Sequence, residues 1–480
     1  MTTPPSPTTL GALRESGHVH RSVKAELRHN LLDRLSSGEP SIPGIVGFDE
    51  TVIPEVERAV LAGHDLVLLG ERGQGKTRLI RTLSGLLDEW TPVVEGCEIN
   101  DHPYAPVCRR CQALLADLGE TLPVSWKHRS ERYGEKLATP DTSVGDLIGD
   151  IDPIKVAEGR TLGDPETVHY GLLPRTNRGI FSVNELPDLA ERIQVSLLNV
   201  LEERDIQVRG YALRMPLDVL LVASANPEDY TNRGRIITPL KDRFGAEVRT
   251  HYPIELADEL ALIRQEAQLR WDTGEHGSGQ RGTHVAPLVP THLVDIVARF
   301  ARLVRDAPQV DQRSGVSARF AIAAVETVAA SAVRRAAITG EPSAVARVCD
   351  LPAVIPASRG KVEFDDADEG REIDVLAHLL RRATAETFRA TLAGVDLSGL
   401  QHKFDEGATV ETGDLVPAAE LLRQVGPFQG LATILERLGI EEGVENPGLA
   451  ASALEFGLEG LHLSRRLAKD EVQGRVLYGA

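Results

Sequence analysis

The chain has 480 residues, 42% hydrophobic and only 4% aromatic, so its core must be built mainly from Leu, Val, Ile and Ala. That composition favours helices and buried parallel strands over an aromatic-rich β-sandwich. A net charge of −18 makes a phosphate backbone a poor general partner, no run of about 18 apolar residues can span a membrane, and Met1–Thr9 lacks a signal core, so a cytoplasmic protein is expected.

Residues 1–17 read as a disordered Pro/Thr-rich tail. His18–Leu35 has helical spacing through Val23, Leu27, Leu31 and Leu35, and Gly38, Pro40 and Pro43 end it. Asp65–Leu69 is a short apolar run suited to a buried strand, followed by a Gly-rich turn and a helix from Lys76 to Leu87. Gly179–Val183 and Val219–Ala225 are two further strand candidates, with a helix over Ile193–Glu203 between them. Strands alternating with helices point to an α/β domain with a parallel sheet. Beyond Pro253 come the helical windows Ile254–Trp271, His292–Arg305 and Ser317–Thr339, a Gly-rich loop at Thr273–Thr283, and helical pieces broken by Gly and Pro to Ala480. The expected division is 1–40 tail and helix, 41–254 α/β nucleotide-binding domain with an insertion at about 91–140, 255–345 helical lid, and 346–480 helical C-terminal region.

Gly70-Glu71-Arg72-Gly73-Gln74-Gly75-Lys76-Thr77 fits G-x-x-x-x-G-K-[ST], directly after an apolar strand and at a helix start. The glycines let backbone N–H groups curl into an anion nest, and the following helix aims its positive end at the same place. Lys76 can reach the β- and γ-phosphates of ATP, and Thr77 can hold Mg²⁺. Hydrolysis also needs a group to activate water, and Glu185, after the strand Gly179–Val183, is the candidate base. A strand-end Glu that only faces solvent is the other reading. Asn226, after the strand Val219–Ala225, can hold the attacking water or simply begin a turn before Pro227. Arg243 can serve as a finger in trans if the protein forms a ring, and Arg319, near a helix start, can lean over the nucleotide from a lid.

Cys97, Cys108 and Cys111 lie within fifteen residues with His102 among them. Cys108-x-x-Cys111 is a knuckle able to present two thiolates to Zn²⁺, and Cys97 and His102 could complete four ligands. Three reduced thiols in a loop-rich insertion is the alternative.

Taken in order, these pieces resemble the AAA+ family, and within it the ATPase subunit of magnesium chelatase and its MoxR-type relatives. The resemblance runs over roughly residues 44–340, through Gly70–Thr77, Gly171-Leu-Leu173, Gly179–Glu185, Leu197–Glu203, Ser224–Glu228, Leu240–Gly245 and Gly315–Arg319. It implies a P-loop AAA+ parallel sheet flanked by helices, then a helical lid and a helical C-terminal region. Lys76 and Thr77 take the Walker A roles, Asn184 and Glu185 the Walker B positions, Asn226 sensor 1, Arg243 the arginine finger and Arg319 sensor 2. Residues 203–216 resemble the β-hairpin that precedes sensor 1. The resemblance further implies a ring, usually a hexamer, with ATP between subunits, that remodels a partner commonly carrying a von Willebrand A domain. The sequence departs from the pattern at Asn184, where the family commonly has Asp. An amide can hydrogen-bond metal-bound water but brings no charge, which leaves an ATP-sensing scaffold with little hydrolysis as an alternative. An enhancer-binding AAA+ regulator is another, although the chain has neither a Gly-Ala-Phe-Thr-Gly-Ala loop nor a helix-turn-helix pattern.

Overall fold

The computed structural model describes residues 3–151, 154, 157, 167–202, 215–227, 235–269, 287–311, 315–364, 370–428, 430–440, 446–472 and 475–479. The expected hairpin at 203–216 lies almost wholly outside these residues, as does the loop at 273–283. The chain divides into two units, Met1–His251 and Tyr252–Ala480.

The first unit is organised by Leu66–Leu69 (β1), Trp90–Val94 (β2), Val124–His128 (β3), Tyr133–Leu137 (β4), Gly149–Ile151 (β5), Val168–Tyr170 (β6), Gly179–Asn184 (β7), Val219–Ala225 (β8) and Ala246–Arg249 (β9). Five of them form one sheet in the order β4-β7-β8-β1-β9, and every pairing in it is parallel. Both faces are covered, which is why β1, β7 and β8 read as continuous apolar runs. The two-residue alternation of a strand then sorts the side chains. Leu66, Leu68, Ile180, Leu220 and Val222 pack on the face that carries the helices Val23–Ser37, Val52–Ala62 and Lys76–Leu83. Val67, Phe181, Val183, Leu221 and Ala223 pack on the other, with the helices Glu191–Glu202 and Thr238–Arg243. β1 sits between β8 and β9, so the chain leaves β1, builds the sheet on one side, and returns to finish it on the other. The C-terminal end of β1 therefore lies at a topological switch point, where open α/β sheets bind ligands.

The helix Val23–Ser37 belongs to this core. Asp65, buried beneath β1, accepts from the Leu221 N–H (2.8 Å) and from Lys24 Nζ (3.0 Å). Glu26 and Arg132, with side chains 7% and 1% exposed, form a bidentate pair with both N···O distances at 2.7 Å. Removing either partner would strand a buried charge at a cost of about 3–5 kcal/mol.

Two expectations are corrected here. The tail 1–17 contains a helix, Leu10–Glu15, capped by the Thr9 hydroxyl, with Leu10 and Leu13 buried. It packs beside Val94, Cys111 and Leu122, and the Leu10 N–H donates to the Leu122 carbonyl (3.0 Å). Two leucines cannot order six residues alone; the β2–β3 hairpin supplies the surface. The insertion also ends earlier than residue 140. β2 and β3 form an antiparallel pair carrying the helix Arg109–Leu118, but β4 (Tyr-Gly-Glu-Lys-Leu) is the edge strand of the main sheet. Paired on one side only and part-exposed, it carries no apolar run to reveal it.

The second unit has its own core, from Ile263 to Tyr478, built on the helices Leu256–Glu266, Thr291–Arg305, Ala318–Thr339, Glu372–Thr391, Ala418–Val425 and Pro447–Leu463. That core runs through residue 345, where a lid boundary was expected, without interruption. Pro447–Leu463 is buried on every side, hence its lack of an amphipathic pattern. The C-terminal region is helical as expected and also carries a small sheet: Val410–Thr412, Ala468–Val472 and Arg475–Gly479 form three antiparallel strands. No helix among the described residues is long and apolar enough to cross a membrane.

Candidate functional site: a P-loop joined to a strand-end glutamate

The site grows from the end of β1. Gly70 N–H donates to the Ala225 carbonyl (3.2 Å), and the Thr250 N–H to the Leu69 carbonyl (2.8 Å). The chain then turns through Gly73 and Gly75, at φ +76° and +77°, a region open at low cost only to glycine. Gln74 pins the turn: its Oε1 accepts from the Glu71 N–H (3.0 Å) and from Thr250 Oγ1 (2.8 Å). A Cβ on Gly70 would overlap both of those side-chain oxygens. Arg72 stands exposed at the rim and Thr77 is half-buried in the first turn of Lys76–Leu83. Gly75 offers that helix no capping side chain, so its first-turn N–H groups are available to an anion.

Lys76 is 7% exposed, a cation largely withdrawn from water. Its Nζ donates to the Gly70 carbonyl, the Glu71 carbonyl (2.8 Å) and Asn226 Oδ1 (2.8 Å). Asn226 Nδ2 in turn donates to Glu185 Oε2 (2.6 Å). Register explains the meeting. β7 and β8 are adjacent with Val183 opposite Ala223, so the residues just past their ends stand side by side. Glu185 itself adopts φ +56°, a left-handed conformation costing a non-glycine residue about 1–2 kcal/mol, and its N–H donates to Ser224 Oγ (3.3 Å). Lys76, Asn226 and Glu185, chosen from separate motifs, thus form one hydrogen-bonded line. A buried lysine over an open glycine turn suits a polyanionic phosphate chain, and a half-buried carboxylate at the far end of the line suits a water beside it.

Asn184 points its amide at a carboxylate that sequence reasoning missed. Its Nδ2 donates to Glu135 Oε1 (2.7 Å), while its Oδ1 accepts from Ser182 Oγ (3.2 Å). Glu135 stands on β4, held by Arg81 (2.8 and 2.9 Å) and the Tyr133 hydroxyl (2.9 Å). Arg81's hydrogen bonds hold the Glu135 carboxyl below the usual carboxylate range. A negative charge therefore lies one side chain away from where an Asp was expected. No local signal marked it, because β4 had been read as insertion.

Arg243 is not part of the line. It is half-exposed at the end of Thr238–Arg243 and pairs with Glu202 (3.1 Å) and Asp242 (3.2 Å). Arg319 is exposed at the start of Ala318–Thr339, in the second unit.

The cysteine cluster forms, with one exchange. Cys97, Cys108 and Cys111 gather with Asp101, their ligand atoms all within 4.8 Å of one another. His102 is not among them. Its Nδ1 accepts from the Tyr104 N–H (3.0 Å), its Nε2 lies 3.3 Å from His18 Nε2, and its ring stacks on that of His18 and meets that of His20 at a tilt. Both adjacent residues are buried, Asp101 against the three sulfurs and His102 against the rings of His18, His20 and Tyr104.

A family model described as the sigma-54 interaction domain matches residues 160–243. The 38 kDa subunit of magnesium chelatase from Cereibacter sphaeroides is 30% identical over 232 residues, 46% of this chain and 61% of that protein. Magnesium-chelatase subunit ChlI of Guillardia theta is 30% identical over 207 residues, 42% of this chain and 55% of that protein. The chain thus spans less than two thirds of the length of these relatives. Among solved structures, a cryo-EM-based complex of the BchI and BchD subunits of magnesium chelatase matches at TM-score 0.35 and 22% identity, over 69% of this chain and 97% of that one, a likeness too slight to bear on function. The P-loop, its strand-end partners and the sequence relatives point the same way: the chain is similar to AAA+ ATPases and, among them, to magnesium chelatase subunits.

Proposed function

We propose that this protein binds and hydrolyses ATP at the subunit interfaces of a ring and uses the turnover to remodel a partner protein. The line Lys76–Asn226–Glu185 carries the reading, since it ties the phosphate-binding turn to a base through one amide. The first-turn N–H groups and Lys76 bind the phosphates, with Lys76 exchanging its carbonyl partners for phosphate oxygens. Thr77 and Asn184 would hold Mg²⁺, with Glu135 behind Asn184 supplying the missing charge; the ion neutralises charge on the phosphates when bound. Glu185 takes a proton from water as its oxygen bonds to the γ-phosphorus and the bond to ADP breaks, and Asn226 holds that carboxylate in place. Arg243 would leave Glu202 for the neighbouring subunit's nucleotide, and Arg319 keeps the sensor 2 role that the resemblance implies for it. The partner would be a second protein, with a von Willebrand A domain as the first candidate.

Phosphate release and ATP binding measured on wild type, Lys76→Ala and Glu185→Gln test this. Lys76→Ala should lose binding; Glu185→Gln should keep it and lose about 10²–10⁴ in turnover. Equal turnover in all three would end the enzyme reading. Two observations favour other readings. Asn184 favours an ATP-sensing scaffold, which would assemble with ATP and release no phosphate. The sigma-54 domain match favours an enhancer-binding regulator, which would bind promoter DNA with steep salt dependence.

A further inference from the structure

Outside the ATP site, one group of side chains has the composition and spacing of a metal centre that the proposed reaction does not use. Cys97 follows β2, Asp101 and Cys108 lie on the loop beyond, and Cys111 is in the first turn of Arg109–Leu118. All three cysteines are free thiols, and the four ligand atoms fall within 4.8 Å of one another. A tetrahedral ion with bonds of about 2.0–2.3 Å sets its ligand atoms roughly 3.5–3.8 Å apart, so small side-chain adjustments close the shell.

Three further features point to an ion. The Asp101 N–H donates to Cys97 Sγ (3.3 Å) and the Cys111 N–H to Cys108 Sγ (3.4 Å), so backbone donors already face two sulfurs as they would face thiolates. Asp101 is 1% exposed; its Oδ2 accepts from the Cys108 N–H (2.9 Å), but its Oδ1 is buried with no hydrogen-bond partner. A buried carboxylate oxygen beside three sulfurs and without a donor is costly unless a cation sits there. Finally, the local core is small: Leu10, Val94, Cys111 and Leu122 are its buried members. A cluster of that size does not hold a hairpin, a helix and a docked N-terminal helix by burial alone, the circumstance in which small modules use a structural metal.

We propose that Cys97, Asp101, Cys108 and Cys111 bind a single structural Zn²⁺ ion that fastens the β2–β3 insertion and, through it, the N-terminal helix Leu10–Glu15. Three soft thiolates exclude Mg²⁺ and Ca²⁺, which take oxygen ligands, and favour Zn²⁺. Four protein ligands close the coordination shell, so the ion is structural and does not activate water. The site stands independently of ATP turnover.

The test is metal content of the full chain, purified without chelator and measured by mass spectrometry. About one zinc per chain is expected. Asp101→Ala and Cys97→Ser should each weaken retention at least tenfold against a competing chromophoric chelator, whereas His102→Ala should leave it unchanged. Cobalt(II) added to apo-protein should give an intense thiolate-to-metal charge-transfer band and tetrahedral ligand-field bands, both lost in Cys108→Ser/Cys111→Ser. Folded wild-type protein that carries no zinc and gives no cobalt band overturns the proposal. Retention lost in His102→Ala but kept in Asp101→Ala overturns the ligand assignment. Wild-type ATP binding in the same preparations identifies folded protein, so a failed variant fold cannot pass for a lost ligand.

Discussion

Placing at position 184 the Asp that the resemblance implies should harm this protein. Asn184 Nδ2 donates to Glu135 Oε1 at 2.7 Å, and Asn184 is 6% exposed. Asn184→Asp replaces that donor with a second carboxylate oxygen. Two charges about 4 Å apart repel by about 4 kcal/mol at an effective dielectric of 20 and about 1 kcal/mol in water. The Glu135 side chain is 22% exposed and shared with Arg81, so the penalty lies between, about 2 kcal/mol. Arg81 already holds Glu135 below the usual carboxylate range, so the proton goes to the new Asp, whose pKa is raised by the neighbouring charge. A folded-state pKa raised above the unfolded value means that the penalty is present at neutral pH and fades as pH falls through that raised pKa. Thermal melts should show Asn184→Asp about 4–8 °C below wild type at pH 7, with the gap closing towards pH 4.5. Asn184→Asp/Glu135→Gln rebuilds an amide–carboxylate pair with the roles reversed and should recover most of the loss, a coupling that a double-mutant cycle isolates. A variant as stable as wild type at pH 7, or one equally destabilised at both pH values and in the Glu135→Gln background, refutes the argument.

Gly460 tests packing against propensity. Alanine normally stabilises a helix interior by about 1 kcal/mol over glycine, but a Cβ here would run into the Phe388 ring, so Gly460→Ala should lose a net ~1–2 kcal/mol in denaturant melts. His292, 2% exposed against Phe456 and Ser452, has its pKa lowered to about 3 by burial. A His kept neutral in the fold contributes stability above the unfolded pKa near 6.5 and loses it as pH falls. Wild type should therefore lose about 2 kcal/mol between pH 6.5 and 5 from this group, and His292→Phe should lack that part of the slope; identical acid-side slopes would exclude it. Arg243→Ala should leave ATP affinity within a factor of about two but cost on the order of 10³ in turnover of the assembled protein. Unchanged turnover would return Arg243 to its surface pair with Glu202.

Local sequence determined the parts whose chemistry is local. A strand, a glycine turn and a helix start lie together at Leu66–Leu83, and the left-handed angles at Gly73 and Gly75 follow from residues that permit them. Doubly covered strands are apolar throughout, so β1, β7 and β8 were legible; Glu185 and Asn226 were chosen because they follow two of those strands. What the sequence could not hold was adjacency. Asn226 bridges Lys76 to Glu185 only because the sheet order places β8 between β7 and β1. Glu135 reaches Asn184 only because an edge strand, half-polar and so without an apolar signature, pairs with β7. Asp101 displaces His102 from the cysteines because backbone direction, set by the folded loop, decides which of two neighbours faces the sulfurs. The helix Leu10–Glu15, with two leucines to bury, had no order of its own to advertise until the hairpin beside it was built. Periodicity and turn chemistry act within a few residues, whereas the contacts of Asn226, Glu135 and Leu10 join segments tens to more than a hundred residues apart, and only the packed sheet and its insertion bring them within reach.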